Sequence, residues 1–104
     1  MKSVLFKVKE NKLPIWLDWC QFLKKNEIEV VETLNEEKIL FEGCLHFQIL
    51  DTWYVLMFEE YYDFPLPATQ KEINKIHMQK KIECFILVSK QEYDYLFMTI
   101  HGKK

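Results

Sequence analysis

The sequence predicts an α+β fold of the ferredoxin-like type, βαββαβ, with a four-stranded antiparallel sheet and two helices on one face. Three observations carry this expectation. The stretch Ile39 to Tyr62, ILFEGCLHFQILDTWYVLMFEEYY, holds two aromatic-rich apolar runs divided by the polar pair Asp51-Thr52, as a hairpin requires. Apolar residues at helical spacing precede and follow it. Strand-like runs stand at both ends of the chain, in Ser3 to Lys9 and Tyr93 to His101. That order is a split β-α-β plan.

Val4, Phe6 and Val8 alternate against Leu5 and the lysines and set the first strand. Glu10-Asn11-Lys12 ends it, with Asn11 able to cap a helix and Pro14 tolerated in a first turn. Trp16, Trp19, Cys20, Leu23, Val30, Val31 and Leu34 keep helical spacing and predict a helix from Leu13 to Leu34. The polar run Lys24-Lys25-Asn26, with Glu27 on the apolar stripe, predicts a bend or break there. Asn35 to Lys38 is a polar turn. With Asp51-Thr52 as the loop, Leu50 faces Trp53, Gln48 faces Val55, His46 faces Met57 and Cys44 faces Glu59. Pro65 and Pro67 mark a loop. Thr69 and Glu72 form a capping-box pattern opening a second helix, whose stripe is Ile73, Ile76, His77, Lys80, Cys84 and Leu87. Ser89 to Glu92 closes that helix, Tyr93 to His101 is the last strand, and residues 102–104 are a solvated tail.

Side chains alternate between faces along a strand. One hairpin face carries Phe41, Leu45, Phe47, Ile49, Tyr54, Leu56 and Phe58, and reads as the plain hydrophobic core. The other carries Glu42, Cys44, His46 and Gln48 with Trp53, Val55, Met57, Glu59 and Tyr61, and reads as the open face. The hairpin and last strand are apolar on both faces, whereas the helices cover only one. A second copy is therefore expected on the open face, since apolar burial contributes roughly 25 cal/mol per Å².

At 104 residues the chain is one domain, and 49% hydrophobic residues suffice for a core without disulfides or metal. A net charge of −2 offers no basic field for a phosphate backbone, so no nucleic-acid partner is expected. No apolar run reaches the roughly 18 residues of a membrane span, and MKSVLFKVKE lacks the features of a signal peptide. Cys20, Cys44 and Cys84 are odd in number with no CxxC, and read as reduced thiols of a cytoplasmic protein. There is no Gly-rich phosphate loop, GxSxG or HExxH, so no cofactor is expected.

Glu42, Cys44 and His46 stand at i, i+2 and i+4 on one strand face, with Glu59 nearby on the next strand. A carboxylate beside an imidazole is a workable acid–base pair, and desolvation raises a carboxyl pKa toward neutrality. His46 or His77 is the candidate base, with Glu42 or Glu59 as orienting or acid partner. Cys44, Gln48, Trp53, Met57 and Tyr61 are the candidate ligand-lining residues. The same groups fit a plainer role as the rim of a dimer interface, and His77 fits a core histidine. Glu42, Cys44 and His46 are metal-ligand types, but no fourth group or spacing signature accompanies them, so no metal is expected.

The βαββαβ plan with a doubly apolar sheet resembles the dimeric α+β-barrel superfamily, which includes antibiotic-biosynthesis monooxygenases, stress-responsive barrel proteins and rhamnose mutarotases. More narrowly, VVETLNEEKILFE (Val30 to Glu42) and INKIHMQKK (Ile73 to Lys81) resemble a small bacterial family known only as a domain of unknown function. The narrow resemblance includes His77. The superfamily implies a pocket between the open sheet face and the helices or partner subunit, but no single chemistry. The combined expectation is a cytoplasmic homodimer with a small-molecule pocket. It works either by cofactor-independent proton transfer or as a non-catalytic binding or interaction protein.

Overall fold

The alternating Val4, Phe6 and Val8 form β1 (Lys2–Val8), and Asn11, at φ 64°, turns the chain into α1 (Leu13–Lys25). Asn adopts that left-handed conformation at little cost, so it serves the turn rather than the cap. The N-cap is Lys12, which makes no side-chain cap bond, and Pro14 sits in the first turn as expected. The polar run breaks the long helix at Asn26, whose side-chain Nδ2 donates to the Phe22 carbonyl at 2.8 Å. The chain restarts as α2 (Glu27–Glu36), with Glu27 and Glu29 placed where the helix dipole favours negative charge. Among the described residues the fold therefore has three helices rather than two.

The computed structural model describes residues 1–64, 66–94, 96, 97 and 99. After α2, Lys38 at φ 64° leads into the hairpin of β2 (Ile39–Ile49) and β3 (Thr52–Tyr61). Its turn is Leu50-Asp51 rather than Asp51-Thr52, with Leu50 at φ 53°. The register is accordingly two residues from the expected one: Gln48 faces Trp53, His46 faces Val55, Cys44 faces Met57 and Glu42 faces Glu59. Because side chains repeat every two residues, this slip leaves each on its expected face. It sets the two carboxylates opposite each other.

The capping box does not form. Lys71 is the N-cap of α3 (Glu72–Cys84), and Thr69 Oγ1 instead accepts from Asn74 Nδ2 at 2.6 Å. The helix stops at Cys84 and passes directly into β4 (Phe85–Glu92), well before the expected Ser89 to Glu92 end. The apolar run Phe85-Ile86-Leu87-Val88 fits a strand as well as a helix, and aromatic and β-branched residues favour the strand. β4 takes the place given to Tyr93–His101, pairing with β1 from Val8–Phe85 to Lys2–Glu92. Beyond it the Tyr93 N–H donates to the Met1 carbonyl at 2.6 Å. The expectations for Pro65, Tyr95, His101 and the tail fall outside the described residues.

The sheet order is β2-β3-β1-β4 with every neighbouring pair antiparallel, as a ferredoxin-like α+β fold requires. The core joins Val8, Val55 and Phe85 of the sheet to Trp16 and Trp19 of α1 and Ile73 and Cys84 of α3. Trp16 is only 1% exposed, its ring 4.5 Å from Phe85.

The two sheet faces are thus the reverse of the expectation. The face bearing Glu42, Cys44, Trp53, Val55, Met57 and Glu59 lies under the helices. The face expected to be the core is open, with Phe41, Leu45, Ile49 and Ile86 all exposed. Hydropathy could not decide between two apolar faces; the hand of the β-α-β crossover does. The open face is still ordered by its own contacts, with Phe47 stacked on Tyr54 at 5.6 Å and Phe41 edge-on to Phe58 at 6.4 Å. Phe58 also lies across Gly43, where an added Cβ would come within 2.6 Å of the ring. A larger residue there would have to push the Phe58 ring aside.

Candidate functional site

Between the covered sheet face and the helices lies a cavity of about 610 Å³. Val4, Phe6 and Met57 come from the sheet and Val30 and Ile73 from the helices, and its ionisable groups include Glu42, Glu59, Tyr61 and His77. The cavity lies on the covered face of the sheet and not on the open one, where the sequence placed a pocket.

The hairpin register makes Glu42 and Glu59 direct cross-strand partners. Like charges so placed repel, and the repulsion grows where water is scarce. Glu42 is accordingly pushed up to about 7, first by burial, then by the charge of Glu59 and a hydrogen bond with it, against the opposing pull of Lys81. The Tyr61 hydroxyl donates to Glu59 Oε1. Burial and that bond hold Tyr61 above its ordinary value, so it stays a donor. Lys2 Nζ lies 4.0 Å from the same Glu59 oxygen. Glu59 is therefore the hydrogen-bonded, ion-paired member of the pair, and Glu42 is the member whose carboxyl is pushed up toward neutral pH.

His77 reaches the cavity from the apolar stripe of α3. The Trp19 indole Nε1–H donates to its Nδ1 at 2.8 Å, which places the imidazole proton on Nε2. Burial, and then the charge of Lys81 one turn on, lower its pKa to about 4. His77 is thus neutral near pH 7, with its acceptor nitrogen already used. It can donate a hydrogen bond from Nε2 but cannot serve as the base the sequence suggested. Among the described residues that Nε2 has no partner.

The remaining candidates lie elsewhere. Cys44, His46, Gln48 and Trp53 share the covered face but run toward the hairpin turn, outside the cavity lining. His46 is exposed, its ring 5.3 Å from Trp53, and it makes no hydrogen bond or ion pair among the described residues. The i, i+2, i+4 series from Glu42 therefore leads away from the site after its first member. Cys44 instead approaches Cys20 of α1, with the sulfurs 4.0 Å apart. Met57 and Tyr61 do line the cavity.

Sequence reasoning missed Lys2, Lys81 and the pairing of Trp19 with His77. Lys81 follows His77 by four residues, the one local signal available. Trp19 and His77 are 58 residues apart in the chain. Among the described residues no group of three or more His, Cys, Asp or Glu is placed to hold a metal ion. No described helix is long and apolar enough to cross a membrane.

Comparison with curated proteins and with solved structures returns no match to this chain. A model of the Family of unknown function (DUF6176) matches residues 1–102. That span takes in every strand and helix described above, and the chain belongs to this family.

Proposed function

We propose that the protein binds a small, largely apolar molecule with one carbonyl or hydroxyl end in the cavity beneath its helices. There it transfers a proton without a cofactor. The carrying observation is the Glu42–Glu59 pair in the cavity wall, one carboxyl held near half-protonation and the other fixed by Tyr61 and Lys2. Such a pair supplies both an acid and a base near neutral pH. In this reading Glu42 moves the proton, while the His77 Nε2–H hydrogen-bonds the ligand oxygen as a neutral donor. The apolar lining sets ligand shape.

A small-molecule library read by ligand-observed NMR tests this reading. Hits are expected to bind Glu42→Gln at least about tenfold more weakly, as loss of a hydrogen bond to a charged group implies. They are expected to vanish in Met57→Trp, which fills the cavity. Binding unchanged in both variants would place the ligand elsewhere and end the proposal.

We further propose a cytoplasmic homodimer of the α+β-barrel type, and the open face supports the dimer. Leu45 and Ile49 are 47% and 56% exposed beside the Phe47–Tyr54 stack, a continuous apolar surface. A two-fold axis sets this surface against itself, and every residue then meets chemistry like its own. Light scattering is expected to give a dimer for the native chain and a monomer for Leu45→Asp, which buries a charge in the contact. A native monomer at tens of micromolar would overturn it.

A further inference from the structure

We propose that Cys20 and Cys44 are a peroxide-sensitive thiol pair that closes into a reversible intramolecular disulfide tying α1 to β2. Their sulfurs are 4.0 Å apart although the residues are 24 positions apart in the chain. A disulfide needs about 2.05 Å, so the sulfurs must close by roughly 2 Å, a distance within reach of a side-chain rotation.

The surroundings suit a two-step oxidation. β2 is an edge strand, and Cys44 is exposed there while Cys20 is half-buried behind it. Both lie on the helix-covered side, so a second copy on the open face leaves them accessible. Cys84, by contrast, is fully buried in the core. The Cys20 thiol and the Trp16 indole favour the Cys44 thiolate, as does the charge of Lys24, and Cys44 is pushed down to about 7. Cys20 is held up, chiefly by its hydrogen bond to Cys44 and by burial. Cys44, the sulfur open to solvent on the edge strand, is therefore the attacking one and the half-buried Cys20 the resolving one.

The Cys44 thiolate attacks one oxygen of hydrogen peroxide. An S–O bond forms, the O–O bond breaks, and the leaving hydroxide takes up a proton as water. Cys44 is now a sulfenic acid, oxidised by two electrons. Cys20 gives up its proton as its sulfur attacks the Cys44 sulfur. The S–S bond forms, the S–O bond breaks, and the second water leaves. In sum two thiols lose two protons and two electrons, and one peroxide becomes two waters. A dithiol reductant reverses the bond by exchange. The bond anchors the helix that carries Trp19, next to Cys20 and the donor that fixes the His77 tautomer. The inference does not depend on what the cavity binds.

The test treats the reduced full-length protein with hydrogen peroxide at equal concentration, then counts thiols after denaturation and maps the peptides. Three free thiols are expected to fall to one, with a Cys20–Cys44 cross-linked peptide in monomeric protein, and dithiothreitol is expected to restore three. The oxidised form is expected to melt at least about 5 °C higher, since the cross-link restrains the unfolded chain. In Cys20→Ser the Cys44 sulfenic acid is expected to persist long enough for dimedone to trap it. Three thiols remaining, a cross-link between chains, or over-oxidation of Cys44 in the native protein would each overturn the proposal. The peptide map uses the native chain, so it stands even where a variant folds poorly.

Discussion

Replacing Trp16 with alanine is expected to cost about 3–5 kcal/mol of stability, the range for removing a large buried aromatic side chain. Trp16 is 1% exposed and its ring contacts Phe85 at 4.5 Å and His77 at 5.6 Å, so it joins α1, α3 and β4 at one point. The void left behind cannot easily close, because Val55 and Cys84 beside it are fully buried and belong to the sheet and to the end of α3. A domain of this size holds only about 5–15 kcal/mol in all. The loss should lower Tm by at least about 12 °C, read by calorimetry or thermal circular dichroism. Val31→Ala, at a residue 54% exposed on α2, is the matched control and should change stability by less than about 0.5 kcal/mol. A Trp16→Ala loss under about 1 kcal/mol would mean that the helices do not pack on this face.

Glu42→Gln is expected to remove one arm of the pH dependence of folding. Glu42 carries a folded-state pKa near 7 against an ordinary value of 4.5. Between those values the folded protein holds more protons than the unfolded chain, so stability falls as pH rises through the window and levels off above about 7. Glu42 keeps part of its surface in water, and with solvent screening the arm amounts to about 1–2 kcal/mol. His77 acts in the opposite sense. Its folded pKa, near 4, lies below the ordinary 6.5, so the unfolded chain binds the proton first and stability is lost as pH falls through that window. The two windows overlap between about 4.5 and 6.5, where the arms oppose each other, so the native protein loses stability below that range and again as pH approaches 7. Urea titrations from pH 4 to 8 should show Glu42→Gln gaining stability relative to the native protein as pH rises from about 4.5 to 7, while keeping the decline toward pH 4. A variant-minus-native difference that stays flat across that window would mean that Glu42 does not hold the proton.

The parts of this molecule legible in its sequence are those set by local chemistry. The hairpin, the helix break near Asn26 and the buried stripe of Trp16, Trp19, Ile73 and Cys84 all follow from spacing and polarity. Face parity along β2 and β3 also placed Glu42, Met57, Glu59 and Tyr61 together, and a two-residue slip in register did not disturb that. Two features were beyond such reasoning. Both sheet faces are apolar, so only the hand of the crossover tells which one the helices cover. The run from Cys84 to Val88 satisfies helix and strand patterns alike, so the α3–β4 boundary waits on the pairing of β4 with β1. In the site itself, His46 matched the expected chemistry but sits too far along β2. Trp19–His77 and Cys20–Cys44 are contacts between distant segments, and no local pattern announces them.

A carboxyl pair in the cavity that holds a proton near neutral pH is read directly by a carbon-13 NMR titration of the glutamate carboxyls in ligand-free protein. One step near pH 7, belonging to the Glu42–Glu59 pair and absent in Glu42→Gln, is the predicted result. Every glutamate titrating near the ordinary value of 4.5 would contradict it, leaving a cavity with no acid–base chemistry in its wall.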